Sequence, residues 1–374
     1  MRHKTKFGIE IRNGIDPDSR YSKMLIKKIL LDDIKHLNFM EVCGTHTMAI
    51  SRFGIRKALS GKIELHSGPG CPVCVTDDSE IDLAIKMAGE PKTTLCTFGD
   101  MMRVPGSSSS LIKEKAHGSR IVVVYSPSDA IDIARHENGH VVFLSVGFET
   151  TAPSVALTVL RCRREGINNL SIISLNKVIP PALRFICESN EVEIDGFILP
   201  GHVSAIIGVK SYEFIPQEFG ISCVISGFEQ SDILSSILML INQYKTGKSE
   251  VQDQYFRGVR IAGNLKAQEV INEVFEPCDS YWRGIGLLPL SGLRLKEEYE
   301  DFDAMKRFNL KLQKVCLSEE KRRCRCGEVL IARIKPTQCP LFAVSCDPEH
   351  PIGPCMVSTE GTCAAYYRYE RNGN

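Results

Sequence analysis

A chain of 374 residues is long enough for two or three domains. At 43% hydrophobic and 24% charged it has the composition of a globular protein, which excludes a largely disordered chain. Its 46 Lys and Arg against 45 Asp and Glu leave a net charge of +1, so nothing electrostatic favours nucleic acid or an anionic membrane as partner.

In chain order, residues 1–36 form an N-terminal segment whose start, MRHKTKFGIEIRNG, lacks the apolar stretch of an export signal. A cytoplasmic location is expected. Short apolar runs bounded by Gly and Pro predict strands at Asn38–Val42, Ile63–His66, Thr93–Thr97 and Ile121–Tyr125. A second set follows at Val141–Val146, Ser171–Leu175, Gly196–Leu199 and Cys223–Ser226. Helical periodicity fills the intervals, as at Asp77–Ala88 and Ser154–Arg164. Strands alternating with helices imply βαβ units and parallel sheets. The longest apolar runs fall far short of a membrane span.

The two sets repeat. FMEVCGTHT at Phe39 aligns with FLSVGFETT at Phe143, Gly99 and Gly106 with Gly201 and Gly208, and Ser128-Asp129 with Ser231-Asp232. An α/β fold is therefore expected, with two similar parallel-sheet domains from an internal duplication, 37–138 and 139–250. A loop-rich, cysteine-rich domain, 251–374, completes it. Ligands of open parallel sheets bind beyond the carboxyl ends of the strands. The odd loops all follow strands, so one cleft between the paired domains is expected, lined by Cys43, His46, Cys71, Cys74, Asp100, Glu149 and His202.

Fifteen cysteines are the anomaly in an average composition. In a reducing compartment they point to metal, cluster or thiol redox chemistry. Cys96, Cys162, Cys187 and Cys223 lie in apolar or helical segments and are read as packing; Cys278 has no assignment. Cys43 sits where a strand meets a helix, whose N-terminus favours a thiolate, and His46 follows three residues later as ligand or proton shuttle. Cys71-Pro-Val-Cys74 is a C-x-x-C at a helix start, with Asp77 and Glu80 as a capping pair. It suits a redox dithiol, and half a zinc site is the other reading. In the tail, Cys326, Cys339, Cys346, Cys355 and Cys363 are too widely spaced for a zinc ribbon and suit an iron–sulfur cluster. Trp282 is assigned to packing, Ser107–Ser110 to a flexible loop, and KRRCRC at 321–326 to a solvated turn.

MEVCGTHT, GPGCPVCVT, GFETTAP, PGHVS, WRGIGLLPLSGLRL, RCRCGEVL and GPCMVSTEGTCAAYYRY occur in that order and closely resemble the HypD family of hydrogenase maturation factors. The resemblance implies a scaffold rather than a conventional enzyme. On it the Fe(CN)2CO unit of [NiFe] hydrogenase would be assembled with HypC, cyanide coming from HypE, before transfer toward the hydrogenase large subunit. It implies iron at Cys43 with His46 beside it, a redox pair at Cys71 and Cys74, and a [4Fe-4S] cluster on four of the five tail cysteines. The residues alone leave two alternatives open: a cluster-dependent thiol–disulfide reductase and a zinc-dependent binding module.

Overall fold

Each of the eight expected strands forms. The computed structural model describes residues 17–189, 193–313 and 316–371. The strands are β1 (Leu37–Glu41), β2 (Ile63–Ser67), β3 (Thr93–Thr97), β4 (Ile121–Val123), β5 (His140–Gly147), β6 (Leu170–Asn176), β7 (Gly196–Pro200) and β8 (Ser222–Ser226). Three more follow: β9 (Val251–Asp253), β10 (Phe275–Trp282) and β11 (Gly286–Leu295).

Their pairing cuts across the expected boundary at 138/139. One parallel sheet has the order β2-β1-β7-β8-β9 and the other β4-β3-β5-β6. The expectation that each sheet comes from one contiguous stretch is therefore corrected. The physical reason is that sequence adjacency decides only the local neighbours β1–β2, β3–β4, β5–β6 and β7–β8, all of which form. The central joins are long-range: Phe39 pairs with Gly196, and Thr93 with His140. Advancing each number in β2-β1-β7-β8 by four, and restarting after eight, reproduces the second sheet read backwards.

Both faces of the central strands are buried, which is why they read as continuous apolar runs. Alternate residues go to different cores. In β1, Phe39 packs toward an outer core, while Met40 and Val42 face a central one. In β5, Val141 and Phe143 go outward, while Val142, Leu144 and Val146 face the same central core. That central core also takes in Trp282 and Cys326, Cys346, Cys355 and Cys363 of the tail. It joins both sheets to the cysteine-rich segment. The helix Pro17–Leu31, within the expected N-terminal segment, inserts Leu25 and Ile29 into the outer core of the first sheet.

β10 and β11 form an antiparallel hairpin, with Cys278 on its first strand. Trp282 at its tip is fully buried, donates to Ser291 at 2.9 Å and stacks on Phe148. The Ser107–Ser110 segment is pinned rather than flexible. Ser107 N–H donates to Asp82 at 2.7 Å, and Gly106 packs against Ile85 and Asp82. No helix among the described residues is long and apolar enough to cross a membrane.

A buried ion pair ties the end of β6 to the helix Asp78–Ala88. Lys177, after β6, lies 2.9 Å from Glu80, and Glu80 also accepts the Asp77 N–H at 2.8 Å as half of a capping box. Lys177→Met leaves a buried carboxylate unpaired and should lower the unfolding free energy by about 3–5 kcal/mol in urea titrations. Adding Glu80→Gln, which keeps the cap, should recover part of that loss.

Candidate functional site

β1 ends at Glu41, and Cys43 is the N-cap of the helix Gly44–Arg52. A buried carboxylate organises this turn. Glu41 accepts the Cys43 N–H at 3.0 Å with Oε2 and the Thr47 hydroxyl at 2.5 Å with Oε1. Arg56 stands 4.0 Å from Glu41 and is itself held by Glu370 at 3.1 Å. From the opposite side, Gly44 N–H donates to the Gly70 carbonyl at 2.9 Å. Gly70 must lack a side chain, because a Cβ there would lie 2.1 Å from the Cys43 nitrogen.

Cys43 is 8% exposed. Burial pushes its thiol up to about 12, the charges of Glu360 and Glu41 add to this, and the backbone N–H groups of His46 and Thr45 oppose it. The thiolate expected from the helix N-terminus is thus corrected. Desolvation and two carboxylates outweigh the helix, and the free chain carries a protonated thiol.

His46 is buried, and burial pushes it down to about 4, so the ring is neutral. Its Nε2 lies 2.9 Å from the Gly227 carbonyl, which can only accept, so Nε2 carries the proton. Nδ1 is buried without a partner. The ring stacks on Phe228 at 5.0 Å, and Phe228 stacks on His202 at 3.9 Å. Glu360, from the tail, closes the group by accepting the Thr45 hydroxyl at 2.7 Å.

Cys71 and Cys74 are joined as a disulfide, with Cys71 as N-cap of the helix Pro72–Val75. They are only 4% and 0% exposed. Their helix packs on β5 and on two tail helices, Cys326–Leu330 and Pro354–Val357. Arg283 clasps its far end. The Arg283 N–H donates to Val75 at 2.9 Å, its guanidinium donates to the Thr76 carbonyl at 2.9 and 3.1 Å, and it pairs with Asp78 at 2.5 Å. Lys321 adds a second cation 2.7 Å from Asp78, so part of the expected solvated turn at 321–326 is committed to this contact. Beside it, the backbones of Gly284 and Gly327 meet with no room for a side chain.

Six tail cysteines, Cys324, Cys326, Cys339, Cys346, Cys355 and Cys363, line one pocket with Phe342, Gly353 and Met356. The sulfurs of Cys326 and Cys355 are 2.8 Å apart. Hydrogen bonds from Cys324 and then Cys355 pull the Cys326 thiol down, and the nearby Arg283 charge adds to this. Among the described residues no three side chains of metal-binding type stand in a ready coordinating arrangement; the thiols pack on one another.

A family model described as HypD, "Hydrogenase formation hypA family", matches residues 20–370. The chain is 46% identical to the hydrogenase maturation factor HypD of Cupriavidus necator, over 89% of this chain and 90% of that one. It is 43% identical to the HypD of Escherichia coli K12 over 90% of each chain. With the HypD of Rhodobacter capsulatus it shares 42% over 97% of this chain and 98% of that one. The chain belongs to the HypD family.

In this HypD-family chain the expected cleft residues separate into groups. His46 and His202 stack on Phe228, with His46 on the helix that Cys43 caps. Asp100 instead accepts the Ser358 hydroxyl of the tail at 3.0 Å. Glu149 turns inward to accept the Ile179 N–H at 2.9 Å, and burial raises it to about 7. His46, expected as a ligand or proton shuttle, spends Nε2 on Gly227, leaving only Nδ1 free.

Glu41, Gly70, Arg283, Cys324 and Glu360 were not among the expected site residues. Glu41 had a signal, since a charge inside an apolar strand demands a partner. Cys324 had one in its C-x-C spacing with Cys326. Contacts of Arg283 and Glu360 span more than 200 residues, which no local pattern encodes.

The raised Cys43 thiol gives a pH signature. Because the protonated form is favoured, alkylation at pH 7 should run about 10²–10³-fold slower than for a free cysteine. Its rate should still be rising above pH 9, where a free thiol levels off. Peptide mass spectrometry of labelled Cys43 across pH measures both.

Proposed function

We propose that the chain is a cytoplasmic scaffold on which the Fe(CN)2CO unit of [NiFe] hydrogenase is assembled. It works with a HypC-like chaperone and a HypE-like cyanide donor before the iron unit passes to the hydrogenase large subunit. Names of the relatives, hydrogenase maturation factors, support this reading. The observation that carries it is the turn at Cys43, where one thiol is held by Glu41, Gly70 and the Glu360 contact to Thr45.

In this proposal the iron unit is cargo, and Cys43 is its protein ligand. Forming the Fe–S bond displaces the thiol proton, which has to leave the enclosed turn. A thiol pushed up by burial holds a soft metal only while the site stays closed around it. That suits a holding site that must later release.

We also infer that four of the six pocket cysteines hold a [4Fe-4S] cluster. The donor chemistry fits, since soft thiolates in an enclosure walled by Phe342 and Met356 are what such clusters need. When bound, the cluster would supply single electrons. Cys71–Cys74 would take up two electrons and two protons on reduction to two thiols. The matching strand orders of the two sheets support an internal duplication as the origin of the fold.

A thiol–disulfide reductase acting on external substrates is disfavoured. Its attacking sulfur must meet another disulfide, and Cys71 and Cys74 lie in the interior.

The test is infrared spectroscopy of the anaerobically purified chain with its chaperone. CO and CN stretching bands are expected and should vanish in Cys43→Ser; their absence from the natural chain would sink the scaffold reading. Separately, Cys71→Ala with Cys74→Ala should slow hydrogenase maturation by about tenfold or more. Maturation at the normal rate would remove the dithiol from the mechanism.

A further inference from the structure

We propose that the segment Phe256–Leu265, anchored at the end of the helix Gly201–Ile207, is the docking surface for a partner protein that presents an apolar face edged with carboxylates. Phe256, Ile261 and Leu265 are 78%, 67% and 58% exposed. Single exposed apolar side chains are ordinary, but three on one segment of ten residues are a patch that calls for a cover.

Exposure here does not come from a frayed loop. Asn264 N–H donates to the Ile206 carbonyl at 3.0 Å, Lys210 N–H to the Ile261 carbonyl at 3.4 Å, and Gln268 to the Ile206 carbonyl at 2.7 Å. The backbones of Gly208 and Gly263 touch, and Val259 is buried in the middle of the segment. The staples tie the Ile261–Asn264 end of the segment to Ile206 and Lys210, at and just beyond the last turn of that helix. An apolar surface held in place before binding costs little conformational entropy to use, and an aromatic anchor such as Phe256 suits the centre of an interface.

Charge selects the partner. From Gln254 to Gln268 the segment holds Arg257, Arg260 and Lys266 and no Asp or Glu. Arg257 is already paired with Asp232, whereas Arg260 and Lys266 have no ion pair among the described residues. Two unpaired cations beside the apolar side chains are complementary to carboxylates, so an acidic-edged protein is the occupant rather than a second copy of this basic segment.

The surface leads directly to the Cys43 site. Tyr255 meets Phe228 edge-on at 5.7 Å, and Phe228 is the ring stacked against both His46 and His202. A protein bound on Phe256–Leu265 therefore sits beside the turn that carries Cys43. The inference rests on the assembly reading, in which a partner must reach that thiol.

Calorimetric titration of the full chain with the purified HypC-type chaperone tests it. Phe256→Asp combined with Ile261→Asp should weaken binding by about tenfold or more. Arg260→Glu should weaken it and flatten its dependence on salt. Tyr125→Asp, at an exposed site elsewhere, should change nothing. Continued protection of the buried thiols of Cys96 and Cys162 from alkylation certifies that each variant is folded. Affinity within twofold of the natural chain in the double variant or in Arg260→Glu overturns the proposal. So does self-association of the natural chain that the same substitutions abolish. No binding by the natural chain overturns both this surface and the partner assignment, while the infrared bands continue to decide the role of Cys43 independently.

Discussion

A carboxylate with no access to water sets the geometry around Cys43. Glu41 can only accept hydrogen bonds when ionised, and it is supported from four places: the Ser67 and Thr47 hydroxyls, the Cys43 backbone and, through charge, Arg56. Burial works against its ionisation, and these partners work for it. Arg56 in turn depends on Glu370, which belongs to the tail. The turn that presents the thiol is thereby made contingent on the cysteine-rich segment being docked.

The same dependence appears in the packing. One central core receives side chains from both sheets and from the tail cysteines, so the three parts share an interior in addition to the outer core of each sheet. Arg283 shows how closely they are joined. It holds the exit of the Cys71–Cys74 helix while its neighbour Gly284 presses on Gly327, one residue from Cys326. Two sulfur sites separated by about 250 positions in the chain are set against each other by one hairpin tip.

What local pattern encodes was readable before any coordinates. The eight strands, the Asp77–Glu80 cap and the loops at strand ends follow from periodicity, turn residues and capping chemistry. The grouping of strands into sheets did not follow, because β1 joins β7 and β3 joins β5 through contacts that no neighbouring residues announce. The Cys43 thiolate was misjudged for a related reason. A helix N-terminus is visible in sequence, whereas burial and the Glu360 carboxylate arrive from elsewhere in the fold. Likewise Ser107–Ser110 has the composition of a mobile loop, yet a single acceptor on Asp82 pins it. Cys324 fell outside the expected set because spacing alone did not show which tail thiols share one wall.

The exchange of strands between halves also orders events in time. A ribosome delivers residues from the N-terminus onward, and β1 with Cys43 emerges early. Its sheet neighbour β7 begins at Gly196, and Gly227, which fixes His46, comes later still. The Glu360 contact comes later than both, 315 residues after Thr45. A nascent chain therefore exposes an ordinary cysteine until these later residues have been made, and the enclosed thiol exists only after Glu360 has joined them. A protein that handled reactive metal would gain from this: its grip closes last, after every part needed to control the cargo is in place.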